Sequence, residues 1–398
     1  CEIVHASGKL ITPGLIDAHT HIGLDESAIR WEGADYNEMS DPVTPEMRGI
    51  DGLNPMDEAF SLALKGGITT AITGPGSANV IGGTFLALKL CGKCVDEMVI
   101  RDPVAMKVAF GENPKGVYGQ NGKKKPVTRM GIAALLRETL SKAKNYANEL
   151  EAAEKKGEKK PAYDFRMEAM LPVIRKEIPL KAHAHRADDI LTMLRIAKEF
   201  DVNVTLDHCT EGHLIVDQLV QAKRPVLVGP TLGGKSKFEL KNKSFVTPGI
   251  LSKAGLEVCI ITDAPVIPLQ HLPLAAGLAI REGMEEEAAW RAITINPAHV
   301  AGIDQRVGSL EAGINHNYSI IYAKSTLDFV SSMAFGAAMG FGVTCSVVFI
   351  LLFQGGLTLL SGLLAPVLSD AVVTEMSAVG GVILIGIGLE IFIRAKFF

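Results

Sequence analysis

Gly14-Leu15-Ile16-Asp17-Ala18-His19-Thr20-His21 decides how this chain is read. A mostly apolar run leads into two histidines two residues apart. On a strand, positions i and i+2 face the same side, so both imidazoles point one way. Two neutral imidazole nitrogens converging at a strand end make half of a metal site.

Working outward, more apolar, β-branched segments end in polar or glycine-rich turns, at residues 67–74, 104–111, 180–185, 202–208, 225–229 and 256–263. Helical patterns lie between many of them, at 57–65, 187–199, 211–223, 274–282 and 285–295. Strands alternating with helices predict βα units and a parallel sheet. The number of units suits an α/β fold of the (β/α)8 TIM-like barrel type, whose chemistry sits at the C-terminal strand ends. Polar clusters follow the apolar runs at that end: Lys181-Ala182-His183-Ala184-His185, Asp207-His208, Thr262-Asp263, and Lys107 leading to Glu112. Histidines and a carboxylate from separate strands converge only in a barrel, and they suit zinc or another divalent transition ion.

Gly74-Pro75-Gly76-Ser77 and Gly82-Gly83 read as turns after a strand, with Gly76 and Ser77 as candidate substrate contacts. Arg186, directly after the second histidine pair, is another. His213, His271 and His299 read as structural or surface residues. Residues 128–157 form a long Ala-, Leu-, Lys- and Glu-rich helical pattern, which predicts a helical insertion at about 113–165 over the barrel mouth.

The chain has 398 residues, six cysteines and a formal net charge of −4. Its charge gives no footing for nucleic acid as a partner. The cysteines do not form a disulfide framework in a chain this long. The 47% hydrophobic content hides a split. Up to about residue 316 the chain reads as a soluble enzyme, whereas no Asp, Glu, Lys or Arg falls between Asp328 and Asp370. Residues 330–353 and 376–393 are long and apolar enough to span a bilayer, and 357–368 is a short, re-entrant candidate containing Pro366. Lys324, Arg394 and Lys396 flank the spans and place the enzyme part in the cytoplasm, with the C-terminal segment at the membrane.

Residues from about 8 to 314 resemble the amidohydrolase superfamily, nearest to its imidazolonepropionase-like members. The resemblance rests on Thr12–His21, Lys181–His185, Asp207-His208, Thr262-Asp263, Ile293–Ala298 and Val307–Leu310, in that order. It implies a divalent metal, zinc first, held by His19, His21, His183 or His185, His208 and Asp263. One metal or two is left open, with Lys107, as a carboxylated lysine, or Glu112 as the candidate bridge. It implies hydrolysis of a C–N bond in a small amide or cyclic amide, with Asp263 as base and His208 assisting; self-association is left open. Ala264 stands where close relatives often carry histidine.

That family usually begins with a small β-sandwich that the chain's end rejoins. Here residues 1–13 read as its remnant, 14–314 as the barrel, and 317–398 as a helical transmembrane segment. The last part resembles a bacterial multi-span membrane family of unknown function, through Ser319–Asp328, Phe353–Thr358 and the glycines Gly380, Gly381, Gly386 and Gly388. The expected origin is a chimeric gene rather than a natural fusion. The alternatives to a hydrolase are a membrane transport-like protein carrying the barrel as passenger, and a barrel that binds ligand without catalysis.

Overall fold

A computed structural model of the chain describes residues 10–29, 31–122, 124–157, 159–310 and 318–321. All of them belong to the first of two compact units, Cys1–Val330. The segments read above as membrane spans lie outside the described residues. Among the described residues no helix is long and apolar enough to cross a membrane.

Eight strands form one sheet in chain order: β2 (Leu15–Thr20), β3 (Ile68–Thr73), β4 (Ile81–Lys89), β5 (Val99–Ala109), β6 (Leu180–Ala184), β7 (Val204–His208), β8 (Val226–Val228) and β9 (Val258–Ile260). β4 is antiparallel to both neighbours, and the remaining pairs are parallel. The two edges meet through Asp17, whose buried carboxylate accepts bonds from the Thr262 amide at 2.8 Å and the Thr262 hydroxyl at 2.7 Å. Beside it the His21 amide donates to the Ala264 carbonyl at 2.6 Å. The result is a barrel-shaped sheet.

The antiparallel β4 departs from the strictly alternating pattern expected from sequence. Gly82 and Gly83 lie inside this strand rather than in a turn. Gly83 has φ +112, and a Cβ there would lie 2.3 Å from the Met47 carbonyl oxygen. Glycine in a strand marks such a close backbone approach. Here the loop around residues 43–48 bridges to β4 at Val43–Ile81 and Arg48–Thr84.

Helices cover the sheet: α1 (Glu58–Lys65), α2 (Arg129–Lys156), α3 (Phe165–Ile174), α4 (Ala187–Phe200), α5 (Val216–Ala222), α6 (Thr247–Lys253), α7 (Leu272–Arg281), α8 (Glu286–Ala292) and α9 (Ile295–Ala301). α2 starts at Thr128, whose hydroxyl accepts the Gly131 amide, and stops at left-handed Gly157. Its buried stripe, Ile132, Leu136, Leu140, Ala143 and Ala147, recurs at helical spacing and joins the main core. Burying each leucine contributes about 1.5–3 kcal/mol. α2 lies along α4, tied by Arg129–Asp189 at one end and Arg137–Glu199 at the other. The long helix expected over the mouth is thus part of the outer helical layer. Its apolar stripe needs a helical neighbour, and periodicity does not say which one.

A separate two-stranded sheet pairs β1 (Leu10–Pro13) antiparallel with β10 (Tyr318–Ile321). β10 falls within the stretch read from sequence as the start of the membrane segment, yet its backbone partner is β1.

Candidate metal centre

β2 and its end deliver His19 and His21, both nearly fully buried. The Nε2 atoms of both rings lie 3.3 Å from one oxygen of Asp263, past the end of β9. The two imidazoles therefore face one side, as their spacing requires. β6 and its end deliver His183 and His185, and β7 delivers His208. The His183 ring centroid lies 4.6 Å from that of His185 and 4.3 Å from that of His208. His19 and His208, 5.1 Å apart, join the two groups. Among the described residues, His183/His185/His208 and His19/His21/Asp263 are the two sets whose donor atoms converge closely enough to hold a metal ion.

Four of the five rings are oriented by a bond at Nδ1, His183 being the exception. His19 Nδ1 lies 2.6 Å from Asp207 Oδ2, His21 Nδ1 lies 2.7 Å from the Gly74 carbonyl, and His208 Nδ1 lies 2.8 Å from the Gly229 carbonyl. His185 Nδ1 lies 2.8 Å from the Thr210 hydroxyl. A proton held at Nδ1 by a carboxylate or carbonyl leaves the Nε2 lone pair for a metal. His208 Nε2 and both nitrogens of His183 are buried with no partner. Orphaned buried nitrogens are costly, and a divalent cation satisfies them, so the residues present fit such an ion.

The electrostatics agree. Burial, and then the neighbouring rings, hold His183 and His185 well below the usual imidazole range. Burial pushes His208 down to about 3. All three are neutral at physiological pH, the form that binds metal. Burial acts to raise the Asp263 carboxyl, but His208, His19 and His21 outweigh it and keep it ionised. His208 and Asp263 both hold left-handed backbone, φ +70 and +56. Such non-glycine strain clusters at functional sites.

Lys107, fully buried on β5, brings Nζ to 3.2 Å from His19 Nε2. Burial lowers its ammonium to about 8. Glu112 is not brought to the histidines. Its carboxylate accepts the Glu239 amide at 3.1 Å, and its own amide donates to Glu239 Oε1 at 2.6 Å. Arg186 is turned to Asp188, bonding it through Nε at 2.9 Å and Nη2 at 2.7 Å. Ser77 lines the cleft above the centre. Gly76 packs against Tyr36 and Asn37, whose side chains leave no room for a Cβ.

Sequence reasoning missed Asp207 as a site residue. It is fully buried, accepts from His19, and pairs with Lys181 Nζ at 3.2 Å. Lys181 in turn donates to the Ala18 carbonyl at 2.8 Å, fixing β2 next to its histidines. The adjacent Asp207-His208 motif was the available signal, but it did not say that Asp207 reaches back to β2.

The cleft has a volume of about 940 Å³, and His21, His183, His185 and Asp263 lie on its floor. Trp31, Tyr36 and Met39 form one wall; Asn113, Lys115, Val117 and Lys237 line it elsewhere.

Residues 10–330 match the amidohydrolase family. The chain belongs to that family. This amidohydrolase is 43% identical to an amidohydrolase from Thermotoga maritima MSB8 of known crystal structure, with a TM-score of 0.80 over 82% of this chain and 85% of that one. It is 29% identical to amidohydrolase tasK of Hapsidospora irregularis over 79% of this chain, a match spanning only 34% of that protein's length. It is 23% identical to the imidazolonepropionase of Idiomarina loihiensis, over 77% of this chain and 76% of that protein. Residues 285–397 of this amidohydrolase also match a family described as protein of unknown function (DUF554). YqgA, an uncharacterized protein of Escherichia coli, is 33% identical over 42% of this chain and 83% of its own length.

Proposed function

We propose that the barrel hydrolyses a C–N bond of a small amide or cyclic amide with the help of one or two divalent metal ions, zinc first. The observation that carries this reading is the convergence of five histidines and Asp263 at the strand ends, with imidazole nitrogens left without partners. His19, His21, His183, His185, His208 and Asp263 would hold the metal, with Lys107 beside them as the candidate bridge. When bound, a divalent cation supplies Lewis acidity, polarising a carbonyl and making water acidic enough to ionise near neutral pH.

Asp263 is the base in this reading. Its side chain is 15% exposed, so it reaches the cleft while keeping its contacts to His19 and His21. Kept ionised, it accepts the proton of the attacking water and returns it to the departing amine. His208 presents a neutral Nε2 to the same space and hydrogen-bonds or ligates there. Asp207 holds His19 in one tautomer, and Gly229 does the same for His208.

Turnover of cyclic amides and N-acyl amino acids by the metal-loaded chain tests this. Asp263→Asn lowers kcat by about 10²- to 10⁴-fold, the range for a general base. Full activity in a metal-free His19→Ala protein contradicts the reading.

A second proposal concerns the C-terminal part. Its 24% identity over 91 residues to YdfK, an uncharacterized membrane protein of Bacillus subtilis, supports membrane attachment, and the basic Lys324, Arg394 and Lys396 favour the cytoplasmic side for the barrel. Recovery of the full chain in the soluble fraction of a lysate overturns it.

A further inference from the structure

We propose that Lys237 is the anion-binding residue of the cleft, and that the substrate carries a carboxylate near the bond that is cut. The proposal rests on the hydrolase reading for the location of that bond. Lys237 lines the cleft that has His183, His185 and Asp263 on its floor. Its Nζ donates to Asn113 Oδ1 at 2.7 Å, and it has no ion pair among the described residues. A neutral amide oxygen satisfies one of three N–H donors and none of the charge. Glu112, an acidic residue of the same cleft, has its carboxylate engaged by the Glu239 amide.

The ammonium is also held in place. Glu112 and Glu239 exchange amide-to-carboxylate bonds, which tie the loop after β5 to the loop after β8 on either side of the Lys237–Asn113 contact. Glu239 is itself anchored by Arg129 Nη2 at 2.7 Å. A lysine restrained in this way loses little conformational freedom when a ligand binds. Lys115 adds a second ammonium to the lining. Apart from Asp263, which faces the histidines, Lys115 and Lys237 outnumber the one remaining carboxylate of the lining, Glu112, by one charge. Trp31 and Tyr36 also line the cleft and offer an aromatic surface to an apolar group. An N-acyl amino acid has this combination of amide, carboxylate and side chain.

Calorimetric titration of the metal-loaded full chain tests the assignment, using a panel of N-acetyl amino acids and their matched primary carboxamides. At least one free acid is expected to bind about 10- to 100-fold more tightly than its carboxamide, the range for a hydrogen bond to a charged group. Lys237→Met removes that preference, and Lys237→Arg keeps it, with bound metal unchanged in both. Equal binding of acids and carboxamides overturns the proposal. So does a preference that survives Lys237→Met, or a panel in which nothing binds. A chain that holds no metal but still prefers the acids keeps this assignment and removes the hydrolase reading, so the two failures are distinguishable.

Discussion

Replacing Asp207 by asparagine separates the support of the centre from its ligands. The carboxylate is fully buried and has three neighbours: His19 Nδ1 at 2.6 Å, Lys181 Nζ at 3.2 Å and the Thr205 hydroxyl at 3.1 Å. Asparagine keeps the shape and removes the charge. Lys181 is left as a buried ammonium with only the Ala18 carbonyl to receive it. Breaking one side of a buried ion pair costs about 3–5 kcal/mol. Independently, His19 exchanges a charged acceptor for a neutral amide group, which weakens the hold on its tautomer and lowers metal affinity about 10- to 100-fold. Urea unfolding of the metal-free protein reads the first effect, and competition with a chelator reads the second. The double variant Asp207→Asn/Lys181→Met removes the stranded charge, so it recovers much of the stability and none of the metal affinity. If Asp207→Asn leaves both stability and affinity unchanged, the reasoning about this network is refuted. Recovery of affinity in the double variant refutes the part assigned to His19.

Two further outcomes follow from particular contacts. Gly229→Ala places a Cβ 2.1 Å from the Ile261 carbonyl oxygen, at φ +150, and shifts the carbonyl that orients His208; loss of metal affinity together with a lower Tm is expected, and an unchanged Tm contradicts it. Glu239 is 1% exposed, and burial raises it from the ordinary 4.5 to about 7. Between those values the folded state binds more protons than the unfolded one, so stability falls as pH rises through this window. Glu239→Gln removes that loss, and its stability relative to the parent improves by about 3 kcal/mol from below pH 4.5 to above pH 7; a pH-independent difference contradicts the burial of an ionising carboxyl.

The histidine pairs and Asp263 were legible because strand periodicity fixes which side chains share a side, and because metal ligands lie at strand ends in a barrel. β4 was not legible, since Gly82 and Gly83 carry a turn signal in sequence; only the approach of the Met47 backbone explains why the strand needs them. α2 was legible as a helix but not in its placement, because its partners on α4 lie about sixty residues further along. The surroundings of Asp207 and Glu112 could not be read from sequence, for a shared reason. Their decisive partners, His19 and Glu239, are 188 and 127 residues away, beyond any local pattern. β10 was hidden by an apolar context that reads equally well as the approach to a membrane span.

In the function proposed for this barrel, the strand-end histidines and Asp263 form a divalent metal centre. Anomalous diffraction from crystals of the zinc-loaded protein, with elemental analysis of the same sample, tests it most directly. One or two zinc peaks are expected, enclosed by His19, His21 and Asp263 and by His183, His185 and His208, and lost in His19→Ala/His208→Ala. Zinc held only at other surface residues, or no zinc retained after loading, contradicts it.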